Sequence, residues 1–252
     1  MLIMFSMAVM RMSGAIGFNP LFGKSNIPVR IRAYFIFALA LLLYLSADPA
    51  SMTAPDSMAE YMMMLSGELF LGAVLAFAME LAFLTIRFAS SVMDYSMGLS
   101  MAQVYDPQYS TQSTVSTGIY YAFMVLLFFA SNSHIQLLSI FYKSVELIPF
   151  GKVVLNPMLV QVFTEGFCKA VLVGMQFAFP MIAIELVTEL AVGILMRIIP
   201  QINVFAVNFQ IKIIMGLLMM LLLFSPMADY IDTIIANMFE MMWELLSSMK
   251  PV

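Results

Sequence analysis

An all-α integral membrane protein built of kinked helical hairpins is the fold class this sequence predicts, on three observations. The mean hydropathy is +0.98 over 252 residues. Only 10% of the residues are charged, against roughly 25% in soluble domains. Six stretches, 1–22, 33–47, 58–90, 115–131, 158–197 and 201–227, approach or exceed the run of about 20 apolar residues that a transmembrane helix needs. One domain over residues 1–252 is the economical organisation, since no solenoid repeat or low-complexity tract interrupts it.

The first block, "MLIMFSMAVMRMSGAIGF", has no basic segment ahead of its apolar run and holds Arg11 within it, which disfavours a cleaved signal and predicts a retained helix. It is followed by "NPLFGKSNIPVRIR", where Lys24, Arg30 and Arg32 form the densest basic cluster of the chain and place this loop on the cytoplasmic side. The next connection, "SADPASMTAPDSMAE", carries Asp48 and Asp56 and no cation, as expected of the opposite side. The net charge of −4 and pI near 4.9 add little, and no basic patch supports binding to nucleic acid.

Residues 58–90 are too many for one perpendicular span and include Glu60, Glu68, Glu80 and Arg87, which are costly in lipid unless they face protein or water. The run 158–197 shows the same tension. Glu165 and Lys169 are spaced for an i,i+4 pair, Glu185 and Glu189 share a face, and Pro180 predicts two short broken helices rather than one span. The last block contains Lys212 and ends near Pro226. Residues 230–250 then read as an amphipathic helix, with Trp243 suited to an interface. The single Cys168 excludes an intrachain disulfide and reads as a small buried hydrophobe.

Catalytic sets are missing. His134 is the only histidine, too few for a metalloprotease site. Tyr105-Asp106 offers half of an aspartyl dyad, but the setting of Asp94 does not supply the other half, and "GLSM" is no nucleophile elbow. The expectation is a protein that is not an enzyme and needs no cofactor or metal. The carboxylates Glu68, Glu80, Glu185 and Glu189 admit two readings: a route for protons or ions, or structural pairing with Arg87, Lys169, Arg197 or a neighbouring subunit. The 27 methionines suit either a surface that repacks around variable contacts or a simple compositional bias.

A polar interruption remains. "GLSMAQVYDPQYSTQSTVS" separates two apolar blocks in mid-chain, is long for a helix connection, and supplies Ser, Thr and Gln with a turn at Asp106-Pro107. It is either an ordinary exposed loop or a plug lining a cavity, because non-helical backbone at membrane depth survives only beside protein or water.

Four segments in order, "RMSGAIGFNPLFGKSNIPVRIR", "MDYSMGLSMAQVYDP", "SNSHIQLLSIFYKSVELIPFG" and "ELAVGILMRIIPQINVFAVNFQIKI", resemble the FliR family of flagellar biosynthetic proteins, the T component of virulence-associated type III secretion systems. The likeness spans nearly the whole chain, although family members commonly carry more residues ahead of the segment matching Arg11. The resemblance implies kinked hairpins assembling side by side in a helical export-gate heteromer at the flagellar basal body, in the bacterial inner membrane. One copy would join about five copies of the P component and about four of the Q component, near the B (switch) component, around a path for unfolded export substrates and in contact with lipid. It further implies a plug over residues 98–117, comprising Gln103, Val104, Tyr105, Asp106, Pro107, Gln108 and Tyr109. Arg11, Glu80, Arg87, Glu185, Glu189, Arg197 and Lys212 would pair between subunits, and Pro200-Gln201 would turn near the cytoplasmic entrance. The competing class is a secondary transporter of ions or small solutes, with helices broken at Pro180 and Pro200 framing a midplane site at Glu185 or Glu189.

Overall fold

The computed structural model describes residues 1–23, 27–47, 55–99, 104–106, 111–113, 115–198 and 204–251. Within them run eight helices and two short strands: α1 (Leu2–Gly17), α2 (Val29–Ser46), α3 (Met58–Met97), β1 (Val104–Asp106), β2 (Thr111–Ser113), α4 (Val115–Ala130), α5 (Ser133–Leu147), α6 (Met158–Ile198), α7 (Val204–Leu222) and α8 (Phe224–Ser248). The protein is thus an α-helical membrane protein, as its composition predicts. Three helices, α2, α3 and α6, are long and apolar enough to cross a bilayer, and two sharply bent pairs, α4 with α5 and α7 with α8, bring the number to five if each pair counts as one span.

One expectation about helix continuity needs correction. Residues 58–97 form one helix of 40 residues and residues 158–198 one of 41, each about 60 Å long against a hydrocarbon core of about 30 Å. Pro180 lies inside α6 without breaking it. A mid-helix proline removes a hydrogen bond and crowds the preceding turn at a cost of about 3 kcal/mol. Burial of Phe177, Ala178 and Met181 on either side of it offsets that cost. Helix α5 was not anticipated as an element of its own, although Leu137, Ile140, Phe141, Ser144 and Val145 supply its buried stripe at helical spacing. Cys168 is exposed on α6, not packed inside. Pro226 does not end a helix; it sits in the first turn of α8, where its missing N–H costs nothing.

The chain packs as two compact units, interleaved in sequence. The first comprises residues 1–82, 128–168 and 235–252. Its centre is Arg11, fully buried on α1. The guanidinium Nε donates to Glu68 Oε2 of α3 at 2.6 Å, Nη1 to the Ser144 carbonyl at 3.0 Å and Nη2 to the Ile148 carbonyl at 2.9 Å. It therefore caps the carbonyl end of α5, where a cation is favoured by the helix dipole. The ring of Phe150 lies 4.8 Å beneath it. Gly151, at φ +80°, turns its N–H onto the other oxygen of Glu68 at 2.8 Å.

Close approach of α1 and α3 makes this possible. A Cβ on Gly14 would overlap the backbone of Leu69 and Ala73, and one on Gly72 would overlap the backbone of Arg11 and Ala15. At the other end of the chain, Met238, Met242, Leu245 and Met249 of the α8 region are buried, and Val154 donates its N–H to the Met249 carbonyl at 3.3 Å. The ammonium of Lys143 lies 5.4 Å from the ring centre of Trp243.

The second unit comprises residues 83–127 and 169–234. Tyr120 packs edge-on against Phe177 at 5.3 Å, Phe177 lies 6.2 Å from Tyr230, and Phe123 lies 4.3 Å from Phe224. These contacts hold α4 against α6 and α8.

Replacing Arg11 with Met is expected to destabilise the chain by about 3–5 kcal/mol, because it strands the Glu68 carboxylate in an apolar interior. The double variant Arg11→Met with Glu68→Leu should regain most of that. Denaturant midpoints in detergent read both, and an Arg11→Met chain as stable as the natural one would remove the pair from this role.

Candidate functional site: the hairpin between α3 and α4

The polar stretch that separates α3 from α4 contains an antiparallel pair of strands, where the sequence suggested only a loop. Val104 pairs with Ser113, Tyr105 with Gln112 and Asp106 with Thr111. β-branched and aromatic residues at 104, 105 and 111 suit this conformation. Of the expected plug residues, Val104, Tyr105 and Asp106 form β1, while Gln103, Pro107, Gln108 and Tyr109 lie outside the described residues.

Two strands of three residues are marginal by themselves, so what steadies them is the geometry at their base. Asp94, fully buried on the last turns of α3, accepts hydrogen bonds from the Ser116 hydroxyl and, at 3.1 Å, from the Ser116 N–H on the first turn of α4. One carboxylate thus satisfies an otherwise unpaired donor at a helix N-terminus and complements its dipole. Gly98, at φ +75°, ends α3 and sends the chain away from the helix axis.

Methionine sulfur lies beside the clamp. Ser116 Oγ lies 4.0 Å from Met220 Sδ, and the Tyr120 hydroxyl meets Met227 Sδ. Met97, fully buried, fills the space that the missing side chain of Gly216 leaves on α7. A Cβ at Gly216 would also come within 3.2 Å of Glu185 Oε1. Glu185 is 2% exposed, and neither of its oxygens has a hydrogen-bond partner among the described residues. Sequence reasoning missed Asp94 and Ser116 as partners. The available signal was a lone acid ending one apolar run and a hydroxyl opening the next, with a polar tract between them.

The expected intersubunit charges fall into distinct environments. Arg11 is corrected: it is buried and pairs within its own chain with Glu68. Lys212 lies 3.3 Å from Glu189, which keeps 56% of its side chain exposed, so these two also meet within the chain. Glu80 and Arg87 are half-buried on α3, and both are already engaged. Glu185 is enclosed, not presented at a surface. Arg197 is exposed in the last turn of α6, where its charge complements the helix dipole. Pro200 and Gln201 lie outside the described residues. Among the described residues, no group of three or more His, Cys, Asp or Glu is arranged to hold a metal ion.

Asp94→Ala is expected to loosen the hairpin base by about 1.5–3 kcal/mol, the worth of hydrogen bonds to a buried charge. Amide hydrogen exchange at residues 104–106, 111–113 and 116 should accelerate while exchange in α1 stays unchanged; uniform protection in the variant would mean that the clamp holds nothing.

Residues 2–238 match the model of a family described as bacterial export proteins, family 1. The chain is similar to flagellar biosynthetic protein FliR of Bacillus subtilis, 28% identical over 247 residues that cover 96% of this chain and 94% of the relative. It is 25% identical to FliR of Escherichia coli over 244 residues, 96% of this chain and 92% of that one. FliR of Aquifex aeolicus is 26% identical over 205 residues, covering 81% and 78%.

Proposed function

The chain belongs to the bacterial export proteins, family 1, and from that premise we propose that it is a flagellar export-gate subunit whose hairpin over residues 98–117 closes the path for exported protein. It works as a structural component of export: function here is passage rather than turnover.

The observation that carries the plug assignment is the clamped hairpin itself. A plug has to block by bulk, remain attached, and move aside at modest cost. The two three-residue strands carry Tyr, Thr, Gln and Ser, which hydrogen-bond without charge, and a single acid, Asp106. Asp94 and Ser116 join the ends of α3 and α4 at the base of the hairpin. Release then involves the hairpin while α3 and α4 keep their places.

In this reading one copy assembles with the P component, about five copies, and the Q component, about four, beside the B component in the inner membrane at the flagellar basal body. Unfolded export substrates pass through the assembly. Arg197, exposed at the end of α6, and the exposed side of Glu189 are the charges best placed to meet neighbouring subunits. Glu80 and Arg87 would contribute from α3, and Pro200-Gln201 would turn at the cytoplasmic entrance. The transporter reading is weakened by the continuity of α6 through Pro180, because a midplane site there requires an interrupted helix.

Deleting residues 104–113 is expected to leave assembly intact and let small ions leak across the membrane, measured as conductance in reconstituted bilayers. Unchanged conductance with normal assembly would remove the plug. Native mass of the detergent-extracted complex, co-expressed with the P and Q components, should show a heteromer with one copy of this chain. A monomer or homo-oligomer indifferent to both partners would overturn the gate reading.

A further inference from the structure

We propose that Glu185 is a proton-binding site, and that its proton decides whether Lys212 pairs with Glu189 or with Glu185. The four carboxylates of the long apolar helices fare differently in the fold. Glu68 is held by Arg11, Glu80 has an interaction of its own, and Glu189 is exposed and meets Lys212 at 3.3 Å. Of the four, Glu185 alone combines burial, at 2% exposed, with two oxygens that have no hydrogen-bond partner among the described residues. Burying an ionised carboxylate unpaired is so costly that such a group keeps its proton instead.

The site lies wholly within the second unit. Glu189 on α6 meets Lys212 on α7, and one turn along each helix Glu185 lies beside Gly216, where a Cβ would come within 3.2 Å of Glu185 Oε1. The notch left by Gly216 also takes Met97, the last residue of α3. Met97 brings a thioether and no charge, and Asp94, the acid near the end of α3, is already bound to Ser116. The charges whose fields reach Glu185 are Lys212 from α7 and Glu189 from α6 itself.

When the O–H bond of Glu185 breaks, its electron pair stays on the oxygen and the proton passes to water. The new anion has the ammonium of Lys212 one helical turn away, on a flexible four-carbon stem. Glu189 can release that ammonium, because 56% of its side chain is exposed and its charge does not depend on one partner. Rebinding of the proton reverses the exchange. Through Met97 the site adjoins the end of α3 from which the hairpin springs. The proposal rests on the burial of Glu185 and not on the gate reading.

The test is infrared spectroscopy of the full-length chain in lipid vesicles, following the carbonyl stretch of a protonated carboxyl against pH. A band present in mildly acidic buffer should vanish as pH rises and be missing from Glu185→Gln at every pH. Lys212→Met removes the cation that favours the anion, so the band should persist to a proton concentration about tenfold lower. Glu189→Gln frees Lys212 for Glu185 and should move the loss of the band about tenfold the other way. In the Lys212→Met background the same Glu189→Gln change should do little, since no ammonium remains to redirect. Lys212→Gln carries the same test if the Met variant does not fold. A spectrum unaltered by Glu185→Gln, or a Glu185 band indifferent to Lys212, would overturn the proposal. So would an equal shift from Glu189→Gln with and without Lys212, which would show direct repulsion between the acids in place of exchange.

Discussion

The first unit of the molecule depends on a single buried cation. Arg11 has no water to turn to, so each of its donors must find an acceptor, and the acceptors it finds lie on α3 and at the end of α5. Removing a guanidinium from water is expensive. That expense turns into specificity, because only one register of α1 against α3 places Glu68 opposite Arg11, and only one termination of α5 aims its carbonyls at the same point. Gly14 and Gly72 set the helix separation that makes the bond short enough.

The same principle operates with reversed sign at the hairpin. There a buried carboxylate, Asp94, meets the donors of a helix start, where Arg11 meets the acceptors of a helix end. Each unit thus has one charged residue that completes a helix terminus belonging to another element. Between them they fix the ends of α4 and α5, the helices on either side of the bend at residues 131–132.

How much of this was legible in the sequence follows from the range of each signal. Apolar runs announced the helices and the membrane, because hydropathy is local and additive. The polar interruption announced a special segment for the same reason. Helix continuity through Pro180 was not legible, since the cost of a proline is local while the burial of Phe177 and Met181 that offsets it is tertiary. Arg11 was read as a charge for a neighbouring subunit because its partner, Glu68, lies 57 positions away and nothing in either neighbourhood marks the pairing. Lys212 and Glu189 escaped for the same reason. Asp94 and Ser116 are only 22 positions apart, but recognising them required knowing that the intervening residues fold back on themselves.

The length of α6 has a cellular consequence. Exposed apolar side chains occur along it from Val160 to Ile198, a distance of about 57 Å at the helical rise. Lipid of about 30 Å could cover that stripe only if the helix lay at roughly 60° to the membrane normal, beyond the tilts that membrane helices adopt. In the export-gate reading, neighbouring subunits would shelter the rest of that stripe. A chain made in excess of its neighbours would carry bare hydrophobic surface into water, the mark by which chaperones and proteases recognise an orphan subunit. The supply of neighbouring subunits would then set how much of this protein a cell can keep.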